Sequence, residues 1–231
     1  MNQDIEIIPT ADGSHTLYLK SLDETYHSRH GAIRESQHIY INHGLHFFVS
    51  TSKATHVNIL EIGFGTGLNA LLSLFYAEIN NVNIQYTAIE PYPLHFDIVQ
   101  QLNYQDKSDN PQARKFYQQL HTTTWNRKNV LTHRFTLIKI NQTLEDFESE
   151  NSFDVIYFDA FAPSKQPDIW SEENIKKIYR YMNTRAVLTT YCAQGLFRRN
   201  LKEVGFKVHS LQGPPGKKEM TLAIKEFSST S

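Results

Sequence analysis

Three carboxylates and a run of glycines are the residues of this chain best placed to do chemistry. Glu61 closes an apolar run in "ILEIGFGTGLN" (59–69), and Gly63, Gly65 and Gly67 follow at alternate positions. Glycine at a strand end accepts positive φ and lets a ligand lie against the backbone. Such a loop serves a dinucleotide, a phosphate group or a sulfonium nucleoside, or it is only a strand-to-helix turn. Spacing narrows the choice. The dinucleotide fingerprint G-x-G-x-x-G is one residue longer than the G-x-G-x-G found here, and the phosphate loop requires a lysine that this segment lacks.

The second acid is Glu90 in "AIEP", 29 positions beyond Glu61. A carboxylate at the end of the next strand can accept both hydroxyls of a ribose; a helix N-cap acid is the plainer alternative. The third is Asp159, which ends the most apolar strand, "FDVIYFDAF" (153–161). There it can accept a hydrogen bond from an attacking amine, or take its proton. It would also sit favourably beside a sulfonium charge. A purely structural aspartate is the alternative. Pro163 and Pro167 stiffen the loop that follows and keep it from continuing as helix. Asp168 either takes part in the site or caps the turn before Trp170.

The elements that must position these groups alternate between strand and helix from Val57 onward. "VNILEIG", "IQYTAIEP", "RFTLIKIN", "FDVIYFDAF" and "RAVLTTYC" read as strands. "GLNALLSLFYAEI", "PLHFDIVQQLNY", "TLEDFESE", "SEENIKKIYRYM" and "GLFRRNLKEVGF" read as helices between and after them. This rhythm predicts an α/β fold with a doubly wound, mostly parallel sheet. "KVHSLQ" and "MTLAIKEF" follow without an intervening helix, which predicts an antiparallel C-terminal strand at one edge. Upstream, "HTLYL" and "QHIYINH" read as short N-terminal strands around a polar loop. The chain divides into an N-terminal β extension with a substrate and cofactor loop (1–56) and a main domain (57–231), forming one unit. The segment 103–133 is a long insertion, open to a helical form and to a role covering the substrate site.

Composition limits the rest. The 231 residues suit one ordinary domain, and 23 basic against 24 acidic residues announce no partner by net charge. The balance hides an asymmetry: Lys176 to Lys225 holds eleven lysines and arginines against two glutamates. That is either a phosphate-binding face or a solvated helix face. A single cysteine, Cys192, excludes an internal disulfide framework and reads as a buried small residue. The histidine pairs His27/His30 and His43/His46 lack a third ligand nearby in sequence, so no metal is expected. No secretory leader and no apolar run long enough to span a membrane is visible, so a cytoplasmic protein is expected.

Four motifs carry a resemblance. E-x-G-x-G-x-G resembles motif I of S-adenosylmethionine-dependent methyltransferases. Together with "DAFAPSKQPDIW" (159–170), "GPPGKKEM" (213–220) and "ETYHSRHGAIRES" (24–36), it makes the chain similar to the methyltransferase domain of the bifunctional tRNA 5-methylaminomethyl-2-thiouridine biosynthesis family, from Leu22 to Ile224. The resemblance implies a Rossmann-like class I S-adenosylmethionine-dependent methyltransferase fold with a mostly parallel seven-stranded sheet. It implies S-adenosyl-L-methionine as cofactor and tRNA as partner. The methyl group would go to the aminomethyl nitrogen of 5-aminomethyl-(2-thio)uridine at the wobble position. The family's FAD-dependent oxidase domain is not expected in this chain.

Residue by residue, the cofactor is expected against Glu61, Gly63, Phe64, Gly65, Gly67, Leu68 and Asn69, with Glu90 on the ribose. Asn141 stands where the family often has an acid near the adenine, and Tyr26 and Ser28 come from the N-terminal loop. Asp159 is the expected catalytic residue and also neighbours the cofactor. Phe161 and Tyr26 are stacking walls for a flipped uracil, or Phe161 is a core aromatic. Pro163, Lys165, Arg198, Arg199, Lys217 and Lys218 are the expected substrate and tRNA contacts. Two rivals stay open: a small-molecule amine methyltransferase or aminopropyltransferase-like enzyme of the same fold, and a non-catalytic RNA-binding module.

Overall fold

The computed structural model describes residues 4–226. It begins with an antiparallel sheet of β1 (Ile5–Pro9), β2 (His15–Leu19) and β3 (Glu24–Thr25). An unbroken helical segment follows: α1 (Ala32–Ser36), a wider π-helical stretch (Gln37–His46) and α2 (Phe47–Ser52). The alternating β-branched pattern of "QHIYINH" predicted a strand here, and the structure corrects it. Ile39, Tyr40 and Ile41 are all buried in succession, which a half-exposed strand cannot achieve. The segment lies across the main sheet. Gly44 is where it comes closest: a Cβ there would stand 3.1 Å from both Thr189 and Tyr157 side chains.

The main sheet then builds from β4 (His56–Ile62), α3 (Leu68–Asn80) and β5 (Asn83–Ile89), followed by α4 (Phe96–Val99) and α5 (Ala113–Thr122). Next come β6 (Lys128–Val130), β7 (Phe135–Ile140), β8 (Phe153–Phe158), α6 (Glu172–Tyr181) and β9 (Met182–Thr190). α7 (Gly195–Val204), β10 (Phe206–Gln212) and β11 (Glu219–Lys225) complete it. The strand order is β10-β11-β9-β8-β4-β5-β7-β6. β9, β8, β4, β5 and β7 are mutually parallel, and β11 runs antiparallel between β9 and β10. The sheet has eight strands rather than the seven expected. The extra one is β6, a short antiparallel edge contributed by the 103–133 insertion, whose α5 packs beside α3. "TLEDFESE" forms a turn instead of a helix. Its Leu144 and Phe147 are buried in the core while the intervening residues remain exposed.

Both faces of the sheet are covered, so its central strands alternate between two cores. Ile59, Val155 and Tyr157 face the side of α3 and the π-helical stretch; Leu60, Ile156 and Phe158 face α6 and α7. Helix ends are set by local chemistry. Ser171 Oγ accepts the Asn174 N–H at 3.3 Å, with Glu172 and Glu173 in the first turn of α6. After β4 the chain moves outward to β5 and β7, then returns to β8 on the other side of β4. The carboxyl ends of β4 and β8 therefore flank the switch in strand order, where open α/β sheets form their ligand crevice. Among the described residues no helix is long and apolar enough to cross a membrane, and no group of three or more His, Cys, Asp or Glu side chains could hold a metal ion.

Candidate active site

A cavity of about 2200 Å³ opens over the carboxyl ends of β4, β5, β8 and β9. Pockets that hold one drug-sized ligand run to about 1,000 Å³, so this one has room for a nucleoside cofactor and a second group. The glycine loop forms its floor. Gly63 has φ +92°, and a Cβ on it would stand 2.5 Å from the backbone oxygen of Asp159. Glycine at 63 thus lets the ends of β4 and β8 touch. Gly65, at φ +48°, lies under the Tyr26 ring and donates its N–H to Glu90 Oε2 at 3.0 Å. Glu90 Oε1 accepts from the Tyr92 N–H at 2.9 Å. Burial raises the Glu90 carboxyl, and these two backbone donors pull against that rise.

Asp159 stands across the loop from Glu90. Tyr40, brought in by the π-helical stretch, donates its hydroxyl to Asp159 Oδ1 at 2.7 Å. Asn69, in the first turn of α3, donates from one amide nitrogen to Asp159 Oδ2 at 2.8 Å and to Glu61 Oε1 at 2.9 Å. Desolvation pushes the Asp159 carboxyl up to about 7, against the lowering effect of the Tyr40 and Asn69 hydrogen bonds. Such a group changes charge near neutral pH, which suits a proton acceptor.

The loop after Asp159 braces itself. Trp170 Nε1 donates to the Phe161 carbonyl at 2.9 Å, and Gln166 Oε1 accepts the Phe161 N–H at 3.2 Å. The Tyr191 hydroxyl donates to the Ala160 carbonyl at 2.7 Å. Phe161 is held edge-on to Tyr26, with ring centroids 5.0 Å apart. The unusual "DAFAPSKQPDIW" sequence is therefore legible as a rigid frame for the Asp159–Phe161 backbone.

Residues 103–226, more than half of the chain, match the model of a family described as S-adenosyl-L-methionine-dependent methyltransferases. The chain belongs to that family. Its similarity to the tRNA 5-methylaminomethyl-2-thiouridine biosynthesis bifunctional protein MnmC of Pseudoalteromonas atlantica is 30% identity, covering 93% of this chain and 32% of that protein. The chain spans about a third of the length of the first curated relatives that it matches. The crystal structure of MNMC2 from Aquifex aeolicus superposes with a TM-score of 0.77 at 25% identity, covering 95% of this chain and 70% of that one. Spermidine synthase from Thermotoga maritima, at 16% identity and a TM-score of 0.55, shares the fold.

The methyltransferase brings some of the sequence-nominated residues to the cavity and not others. Tyr26, Ser28, Gly63, Gly65, Glu90 and Asp159 line it, as do Phe161, Pro163, Lys165, Lys217 and Lys218. Glu61 is fully buried beneath the loop, with one oxygen on Asn69 and the Tyr86 phenol beside it. Burial drives its carboxyl well above the usual range, so it serves the floor from below. Phe64, Gly67, Leu68 and Asn69 also form the layer behind the wall: Phe64 packs toward His121 and Trp125, and Gly67 starts α3. Asn141 turns its amide back onto the Glu90 carbonyl at 2.9 Å, while Thr143, Leu144 and Glu145 take the wall position. Arg198 is a clamp on β11, bonded to Thr221, Glu219 and Met220. Arg199 is exposed away from the cavity lining.

Glu35 and Tyr191 line the cavity near Asp159 and Tyr40 supports that carboxylate from behind, and none was singled out from sequence as a site residue. Tyr40 was hidden by the strand reading of its segment. Glu35 had a signal, since it lies in the N-terminal motif "ETYHSRHGAIRES"; its Oε1 accepts the Ser28 N–H at 2.8 Å and so ties that loop to the site.

The donor set fits the cofactor this family uses. Glycine backbone free of side chains lies at one end of the cavity floor, the Glu90 carboxylate stands at the β5 end for ribose hydroxyls, and apolar Ile89, Leu94 and Leu144 lie beyond it for a purine face.

Proposed function

We propose that this methyltransferase acts on tRNA, placing a methyl group on the aminomethyl nitrogen of 5-aminomethyl-(2-thio)uridine at the wobble position, in the cytoplasm. The observation that carries the reading is that Asp159 lines the same cavity as the glycine loop and Glu90, together with the edge-packed Tyr26/Phe161 pair and Tyr191. A planar base on aromatic walls with its amine against a carboxylate matches that lining. The name of the 30%-identical relative supports the substrate.

Bound here, S-adenosyl-L-methionine supplies an electrophilic methyl group on a sulfonium. The chain's residues do the remainder. Gly63 and Gly65 offer their backbone to the methionine end, and Glu90 orients the ribose. Asp159 takes the proton that the acceptor ammonium must lose before its lone pair can attack, and Tyr40 and Asn69 fix the direction of that carboxylate. Tyr26 and Phe161 hold the uracil face. Lys165 and Lys218, with Pro163 shaping the rim, meet the RNA backbone. The first 56 residues act as the substrate- and cofactor-facing cover of a single unit, through Tyr26 and Ser28.

The test is transfer from labelled S-adenosyl-L-methionine to tRNA that carries aminomethyl-uridine, with nucleoside analysis of the product. Asp159→Ala should lose transfer while binding S-adenosylhomocysteine nearly as well as wild type. No incorporation despite cofactor binding would overturn the reading. Equal methylation of the free nucleoside would move the assignment to a small-molecule amine methyltransferase.

A further inference from the structure

Gly63, Gly65 and Gly67 all have positive φ, and glycine at alternate positions leaves the loop more than one available path. Something has to select the path that the cofactor meets. At the front, the Gly65 N–H bonds Glu90, a carboxylate that ribose hydroxyls would also claim. At the back, the selecting groups come from the 103–133 insertion. None of its described residues lines the cavity; it lies behind the glycine loop instead.

The contact converges on one atom. The Thr66 carbonyl accepts from the Tyr117 hydroxyl at 3.0 Å and from His121 Nε2 at 3.1 Å. A carbonyl can only accept, so the imidazole proton is on Nε2, and both lone pairs of that oxygen are taken. The two donors are four residues apart on α5 and so share one helix face, with ring centroids 4.9 Å apart in an edge-to-face arrangement. Gly67 makes room for them: a Cβ there would stand 2.9 Å from His121 Nε2. The three glycines thus admit three different neighbours, the Asp159 backbone at 63, the Tyr26 ring at 65 and the His121 imidazole at 67. The same peptide link is held at its other end, where the Gly67 N–H bonds the Phe64 carbonyl at 2.9 Å. The Thr66 hydroxyl is occupied as well, 2.7 Å from His27 Nε2. The brace is itself anchored. Buried Lys139 of β7 donates its Nζ to the His121 carbonyl at 3.0 Å and stands 4.7 Å from the centroid of the Trp125 ring.

We propose that Tyr117 and His121 are positioning residues for the cofactor: by holding the Thr66 carbonyl from behind, the insertion keeps the glycine loop in its binding shape before S-adenosyl-L-methionine arrives. They touch the loop and not the ligand, so they act through the backbone of Gly65 to Gly67. The consequence is one of population. A loop that must find its shape on binding shows an affinity reduced by the fraction of molecules already in that shape. The insertion therefore sets how tightly the cofactor is held, and leaves the methyl-transfer step to the residues that line the cavity.

The probe is S-adenosylhomocysteine, titrated calorimetrically into the full chain, so the result does not depend on which acceptor the enzyme methylates. Tyr117→Phe keeps the buried ring and removes one donor; it should weaken binding about 3- to 10-fold, the weight of one neutral hydrogen bond. His121→Leu should do the same. His121→Gln, which can return an amide donor to the Thr66 carbonyl, should stay within about twofold of wild type. In the unliganded protein the Gly67 amide should exchange with deuterium faster in Tyr117→Phe and His121→Leu than in wild type. In turnover, KM for S-adenosyl-L-methionine should rise by the same factor as the dissociation constant while kcat at saturating cofactor holds. Unchanged affinity in a folded Tyr117→Phe, with only a lower melting temperature, would reduce the contact to ordinary packing and overturn the proposal. Equal losses in His121→Gln and His121→Leu would also overturn it, because the bulk of the ring and not its donated proton would then matter. So would a fall in kcat with the affinity intact.

Discussion

Replacing Tyr40 with phenylalanine isolates one hydrogen bond at the centre of the site. The Tyr40 ring packs 5.2 Å from Tyr157 and is 1% exposed, so phenylalanine keeps the packing and removes only the hydroxyl that donates to Asp159 Oδ1 at 2.7 Å. That bond favours the ionised carboxylate, which desolvation already holds near pH 7. A hydrogen bond to a charged group is worth about 1.5–3 kcal/mol, and about 1.4 kcal/mol is one pH unit. The Asp159 midpoint should therefore rise by about one to two units. At pH 7 the ionised fraction would drop from about half to between about a tenth and a hundredth, a loss of roughly 5- to 50-fold in the chemical step. At a pH two to three units higher the variant should approach wild type. The assay is single-turnover methyl transfer from pH 6 to 10 at saturating cofactor, which reads the acid limb of the bound complex. A loss that is uniform across pH, with the acid limb unmoved, would refute the assignment of Asp159 as proton acceptor.

Other consequences follow from the same geometry. Gly63→Ala should destabilise the fold by about 2–4 kcal/mol and lower the melting temperature by roughly 5–15 °C, because its Cβ would strike the Asp159 carbonyl at a positive φ; a thermal melt checks it. Glu90→Gln, which removes the charge that would hold ribose hydroxyls, should weaken S-adenosylhomocysteine binding by about 10- to 100-fold with little change in melting temperature; calorimetric titration reads this. Burial lowers His121 from its usual value to about 3, so its contribution to stability is present above its unfolded value near 6.5 and is lost as pH falls through that range. Asp159 has the opposite sign, losing its contribution as pH rises from about 4 to about 7. His121→Gln should thus reduce the slope of urea-denaturation stability between pH 6.5 and 4.5 by up to about 1.4 kcal/mol per pH unit.

The centre of the sheet was readable because β4, β5 and β8 are apolar runs ended by a glycine, an acid with a proline behind it, and an acid. Glu90 and Asp159 were legible as cavity-lining residues for the same reason, since a carboxylate that terminates a buried strand emerges at the crevice. Tyr40 was not, because three successive buried residues in a β-branched stretch look like a strand until the π-helical path shows how all can be buried. The roles of lysines were equally opaque: Lys217 and Lys218 are neighbours in sequence, and only the turn geometry sends Lys217 inward onto Glu35 and Tyr191. Arg198 shows the same limit, because its guanidinium is consumed by β11. Asn141 is the opposite error, a residue at the right strand end whose amide satisfies nearby carbonyls instead of facing the cavity.

The contact between Gly63 and the Asp159 backbone carries a lesson for anyone exchanging parts among these enzymes. The two segments are far apart in the chain, yet the space for one is defined by the absence of a side chain on the other. Asn69 then spans the same seam, holding Glu61 with one hydrogen of its amide and Asp159 with the other. A chimera that imports a new acceptor loop while keeping its old glycine loop would inherit a mismatched joint. Transplanting acceptor preference therefore calls for moving β4, the start of α3 and the end of β8 together, as one inherited module.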